Sequence, residues 1–112
     1  MGKYQLGEFE EIVLLTVGVL YDEAYGIAIK KEIQKQLNRN VSVGAMQSAL
    51  RRMEQKGYLK TREGESNQIR GGRPKRYFTI TAYGKAALEY TRDVRSELWQ
   101  AIPKMALDLK MI

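Results

Sequence analysis

The chain has 112 residues and a formal net charge of +6, which is enough for one hydrophobic core and too little for a second. It contains no Cys and no His, so disulfides, the usual zinc sites and catalysis by a thiol or an imidazole are excluded. Residues 1–40 carry five Lys/Arg and six Asp/Glu, residues 41–81 nine and three, and residues 82–112 five and four; an excess confined to the middle third points to a polyanionic partner rather than to solubility alone.

The first predicted helix covers residues 8–21. Phe9, Ile12, Val13, Leu14, Leu15, Val17, Val19 and Leu20 occupy nearly its whole circumference, behind an acidic first turn of Glu8, Glu10 and Glu11 that suits a helix N-terminus. A helix apolar all round has to be covered on more than one side. In so small a domain one side faces the chain's own core and the other a second chain, so Ile12 and Leu15 are assigned to a dimer contact. Asp22 is the expected N-cap of a second helix over residues 24–37, with Ile29, Ile33 and Leu37 inward.

After the turn Asn38-Arg39-Asn40, Ser42 is placed to cap a third helix over residues 43–56, with Val41 and Met46 as its hydrophobic staple. Gly57 is the expected stop. Val43, Met46, Leu50 and Met53 cluster on one side of this helix, while Gly44, Gln47, Ser48, Arg51 and Gln55 form a polar, acid-free opposite face.

Residues 59–65 and 75–80 alternate as two strands, with Leu59, Phe78 and Ile80 inward. The run Arg70-Gly71-Gly72-Arg73-Pro74-Lys75-Arg76 leads into the second strand and sets four positive charges among turn formers. Such a loop is no core element, and its charges need solvent or an anion. The alternative is a screened, flexible surface loop, but like charges crowded together cost stability unless a partner uses them. Thr81 caps a last helix from residue 82. On it Ala87, Thr91, Val94, Leu98, Ile102, Met105, Leu109 and Ile112 make a near-heptad seam that needs a partner, with a kink or break near residues 101–103 at Pro103.

The order is helix, helix, turn, helix, strand, basic wing, strand, long helix. This makes a mainly α fold with a small β-wing (α+β): a winged helix-turn-helix over residues 1–81 and a C-terminal dimerisation helix over residues 82–112. No uncharged apolar run approaches the roughly 18–20 residues that span a bilayer, and no secretory leader is visible, so the expected location is the cytoplasm.

The chain resembles the PadR family of bacterial transcriptional regulators over about residues 5–90. The likeness rests on Leu6-Gly7-Glu8-Phe9-Glu10-Glu11-Ile12-Val13-Leu14-Leu15, Ala24-Tyr25-Gly26-Ile27, Val43-Gly44-Ala45, Leu50-Arg51-Arg52-Met53-Glu54 and Lys56-Gly57-Tyr58-Leu59. It is strongest over Gly71-Gly72-Arg73-Pro74-Lys75-Arg76-Tyr77-Phe78-Thr79-Ile80-Thr81-Ala82-Tyr83-Gly84. The order and spacing of these pieces carry it, not any one of them. The tail resembles the short form of the family, with one dimerisation helix and no separate effector domain. In the first half of the recognition helix the family usually has an aromatic residue, commonly Tyr, where this chain has Gln47; a phosphate-contacting phenol is therefore not carried over.

The expected function is a dimeric, sequence-specific repressor that binds double-stranded DNA at an inverted repeat. The third helix would enter the major groove, and the wing over residues 66–76 would follow the backbone or reach into the adjacent minor groove. Ser42, Gly44, Gln47, Ser48, Arg51, Arg52, Arg70, Arg73, Lys75 and Arg76 are the expected DNA-binding residues. Arg52 has the alternative of a salt bridge to Glu54 or Glu8. Tyr25 reads as packing, although the resemblance allows a DNA-facing hydroxyl. Dimer contacts fall to Ile12, Leu15, Thr91, Val94, Leu98, Ile102, Met105 and Leu109. Trp99 packs the dimer or, as the resemblance to short-form members implies, walls a site for a small aromatic inducer. No cofactor or metal is expected, and no Walker loop, dinucleotide fingerprint or nucleophile elbow is present. The rival readings are a winged-helix protein-interaction module and a nonspecific nucleoid-type DNA binder.

Overall fold

The computed structural model describes residues 4–64 and 74–110. Helix α1 (Glu8–Leu20) starts where Gly7 donates its amide to Oε1 of Glu10, the carboxylate three residues on. It ends one residue earlier than expected, because Tyr21 turns to φ 51° and opens a 3-10 turn, Tyr21–Glu23. Asp22 lies inside that turn and caps nothing. Helix α2 (Gly26–Leu37) starts instead after Tyr25, whose backbone is extended.

A pairing distant in sequence explains the late start. Ala24 accepts the Phe78 amide at 2.8 Å, and Tyr25 forms a β-bridge with Tyr77. Residues 24 and 25 thus serve as a short third edge to the wing, and an extended pair cannot also be a helical turn. Asn38, at φ 50°, ends α2 in the left-handed conformation that Asn tolerates. Leu37, in the last turn, is half exposed rather than inward.

Helix α3 (Val43–Gln55) has the expected cap: Ser42 Oγ accepts from the Ala45 amide at 3.1 Å. Its end is a Schellman motif. Gly57 sits at φ 84°, its amide bonds to the Glu54 carbonyl, and the Tyr58 amide bonds to the Met53 carbonyl. Met46, Leu50 and Met53 are buried, whereas Val43, at the first helical position, is half exposed because the helix has not yet come under cover.

Strands β1 (Leu59–Glu63) and β2 (Arg76–Ile80) pair antiparallel, from Leu59 opposite Ile80 to Glu63 opposite Arg76. Both are shorter than the alternation implied, though the Gly64 amide still bonds to the Lys75 carbonyl at 2.7 Å. Leu59 and Phe78 are buried and Ile80 packs on the core edge. One core results: Val13, Leu14 and Val17 of α1, Ile29 and Ile33 of α2, the inner face of α3, and Leu59 and Phe78 of the wing. Full burial of each large side chain contributes about 1.5–3 kcal/mol against exposure.

Helix α4 (Ala82–Ala101) is capped by Thr81, whose Oγ1 accepts from the Gly84 amide at 3.0 Å. Gly84 rests directly on the Tyr58 carbonyl, where a Cβ would collide. The helix stops at Ala101, so of the kink or break expected near residues 101–103 it is the break that forms. Pro103 has no amide to donate, and a separate 3-10 turn, Lys104–Leu107, follows. Met105 and Leu109 therefore lie off the helical seam. From residue 92 to residue 110 every residue is exposed. The radius of gyration of 17.3 Å exceeds the roughly 13 Å of a compact chain of this length, because the chain from residue 92 on stands clear of the core while Gly84 and Ala87 of α4 are buried in it.

Candidate nucleic-acid interface

Helix α3 turns Met46, Leu50 and Met53 into the core, and this fixes what its other face presents. Ser42, Gly44, Gln47 and Arg51 are exposed there, and Ser48 is half-buried. A Cβ at Gly44 would meet nothing within 4 Å, so the fold itself does not require glycine at this helical position.

Between the start of α2, α3 and β2 lies a cleft of about 450 Å³. Tyr25, Gln47, Arg51, Lys75 and Arg76 all line it, so it joins residues of α3 to those of the wing. Neither α2 nor α3 has an acid in its first turn, and the positive ends of both helix dipoles are left uncompensated. Arg51 has no ion pair or hydrogen bond among the described residues. Lys75 holds its ammonium 4.2 Å over the Tyr25 ring, and Tyr25 meets Tyr77 edge-on at 5.6 Å between centroids. Tyr25 is thus half-buried packing that also forms part of the cleft wall.

Other basic side chains are already engaged. Arg52, next to Arg51 in sequence, points about 100° away around the helix and bonds through Nε to Glu10 Oε2 at 3.0 Å. Its partner is neither Glu54 nor Glu8. Lys56 reaches the same carboxylate at 3.1 Å. Burial works to raise the Glu10 pKa, but the Gly7 amide, Arg52 and Lys56 together outweigh it and hold the carboxyl below its ordinary 4.5. Arg76, at the start of β2, bonds through Nη2 to both carboxylate oxygens of Glu54 at 3.1 Å. Arg70 and Arg73 lie outside the described residues.

The hub at Glu10 and the Glu54–Arg76 pair were missed in sequence. The only signals were an acid in the third position of α1, which marks a cap, and an acid on the margin of a basic helix face. Neither reveals a partner.

A second surface runs along α1 and α4. Leu15 and Trp99 line one groove of about 870 Å³, closed at one side by the Arg95–Glu11 ion pair of 3.1 Å. Val19, Val94, Leu98 and Ile102 are also exposed, as are Met105 and Leu109 beyond the helix. Ile12 packs partly against the chain's own core, and Thr91 donates its hydroxyl to the Ala87 carbonyl one turn back. Among the described residues no group of acids is arranged to hold a metal, and no helix is long and apolar enough to cross a membrane.

Comparison with known proteins agrees with this arrangement. The profile of the transcriptional regulator PadR-like family matches residues 14–90. A PadR-like transcription factor from Bacteroides fragilis is similar in structure, with 26% identity and a TM-score of 0.69 over 82% of this chain and 84% of that one. A PadR family transcription regulator from Clostridium difficile shares 30% identity, with a TM-score of 0.62 over 80% of this chain and 91% of that one. A PadR family regulator from Eggerthella lenta, at 21% identity and a TM-score of 0.68 over 91% and 88%, shows the same fold. No curated protein matches the chain in sequence. The chain belongs to the PadR-like family: it is a DNA-binding transcriptional regulator with a winged-helix fold, not an enzyme.

Proposed function

We propose that this PadR-like chain is a cytoplasmic, dimeric repressor of an inverted-repeat operator, reading sequence with α3 and gripping the backbone with the wing. The observation that carries the reading is Arg51. Its guanidinium is unpaired among the described residues, and it stands on an acid-free helix face beside Gln47, in the cleft that also holds Lys75. Arg is the side chain best matched to the O6 and N7 of guanine, and Gln to the N6 and N7 of adenine. Ser42, Gly44 and Ser48 surround them at the helix start, and Val43 is exposed beside them for a thymine methyl. Lys75, with Arg70 and Arg73 in the wing, supplies charge for phosphates.

The dimer is supported by the apolar surface of α1 and α4. Leu15, Val94, Leu98 and Trp99 make a patch of the kind that soluble monomers seldom leave open. Pairing about a two-fold axis sets the two α3 helices on half-sites about one helical turn, roughly 34 Å, apart. Trp99 and Leu15 then wall a groove between protomers suited to a small planar aromatic inducer.

The test is a pooled-fragment binding selection with the purified protein, followed by titration of the selected duplex and a random one. Arg51→Ala and Gln47→Ala are each expected to lose roughly 1–3 kcal/mol on the selected duplex and little on the random one. A selection that enriches no sequence would replace the repressor reading with that of a nonspecific, architectural binder.

A further inference from the structure

Glu54 is out of place. It is the one acid among the described residues that line the cleft between α2, α3 and β2, where a carboxylate repels the very phosphates the cleft is proposed to receive. Its hydrogen bonds explain what it does there. The carboxylate accepts from Arg76 Nη2 at 3.1 Å on each oxygen and from Thr61 Oγ1 at 3.3 Å. One side chain of α3 therefore ties the recognition helix to both strands of the wing. It leaves Arg51, one turn back on the same helix, with no acidic partner among the described residues.

The pair is also exchangeable. The Arg76 side chain is 59% exposed and that of Glu54 33%, and an ion pair so open to water holds only weakly against a competing anion. Nonspecific affinity for DNA grows with the number of phosphates neutralised, whereas discrimination comes from base contacts. A cation occupied by an internal carboxylate is withdrawn from the first kind of binding without touching the second.

We propose that Glu54 is a positioning and specificity-determining residue. It fixes the wing to the recognition helix and withholds Arg76 from the phosphates of arbitrary DNA, widening the gap between operator and random sequence. The proposal rests on the DNA-binding reading above.

The decisive variant is Glu54→Gln, which removes the charge and keeps an acceptor for Thr61. Binding to a random duplex and to the selected operator is measured by fluorescence anisotropy over a salt series, with circular dichroism to check the fold. The random duplex is expected to bind about 3–10-fold more tightly near 0.1 M salt, with a slope steeper by about one phosphate per protomer. The operator gains less, so the ratio between the two falls. Adding Arg76→Gln to Glu54→Gln restores the wild-type net charge and is expected to return the slope to that of the wild type.

An Arg76-independent gain, or a Glu54→Gln protein whose slope equals that of the wild type, overturns the proposal. A fall in affinity for both duplexes overturns it too, since a purely structural tie would act that way. Should Glu54→Gln fail to fold, Arg76→Gln alone decides: an unchanged slope supports a withheld arginine, and a slope reduced by about one phosphate per protomer refutes it. Wild-type protein that binds neither duplex would instead remove the DNA-binding reading itself.

Discussion

Replacing Glu10 is the sharpest test of how this domain is held together. Its side chain is 8% exposed, and its carboxylate accepts from the Gly7 amide, Arg52 Nε and Lys56 Nζ. Glu10→Gln keeps the shape and an oxygen for the Gly7 amide and Lys56, but removes the negative charge from both cations and turns the side-chain amide toward Arg52. Hydrogen bonds to charged groups are worth about 1.5–3 kcal/mol each. The Arg52 and Lys56 side chains are 50% and 31% exposed, so both recover water, and the pair together is discounted to about 2–3 kcal/mol. For a domain of this size that is roughly a 10–15 °C fall in Tm. Glu10→Ala also loses the cap, for about 1 kcal/mol more. The pH dependence has a definite sign. The folded-state pKa is depressed below 4.5, so the contribution is complete above the unfolded value and disappears as pH falls through the folded one. Thermal unfolding followed by circular dichroism should therefore show wild type and Glu10→Gln far apart at neutral pH and converging in acid. Equal stability at neutral pH, or a gap that does not close in acid, would refute the reasoning.

Three further outcomes follow from single contacts. Gly44→Ala should stabilise the domain by about 0.5–1 kcal/mol through helix propensity, since its Cβ meets nothing, yet weaken operator binding in the same titrations if DNA approaches this backbone. Gly84→Ala should do the opposite: the same propensity gain is outweighed by the collision with the Tyr58 carbonyl, for a net loss of about 1–2 kcal/mol in urea unfolding. Leu98→Glu, at a position exposed in the single chain, should leave the fold intact and shift sedimentation to the monomer, because a dimer seam would bury the new charge; an unchanged dimer would move the interface elsewhere.

What could be read in the sequence was local. Ser42, Thr81 and Gly57 mark helix ends through contacts within about one turn of themselves, and all three do so in the structure. The inner face of α3 follows from helical periodicity alone, and Pro103 from its missing amide. Readings failed where the deciding partner was remote. Asp22 looks like a cap until Ala24 and Tyr25 are seen to pair with Tyr77 and Phe78 of the wing. Leu37 and Val43 fit the periodicity of their helices but stand at the ends, beyond the reach of the core. Glu10 reads as a first-turn acid, and its cationic partners lie 42 and 46 residues away.

The same remoteness decides which positive charges are available to a ligand. Arg51 and Arg52 are indistinguishable by composition, yet one faces the cleft and the other closes onto α1. The acidic first turn of α1 takes up four of the chain's cations: Glu8 binds Arg39, Glu10 binds Arg52 and Lys56, and Glu11 binds Arg95. Glu54 takes Arg76. A run of basic residues overstates the charge that a phosphate can meet, because some of it is spent inside the fold. Among the described residues, what is left in the cleft is Arg51 and Lys75, set at the joint between α3 and the wing. On the proposed reading, only a backbone lying along both elements would satisfy these two cations together.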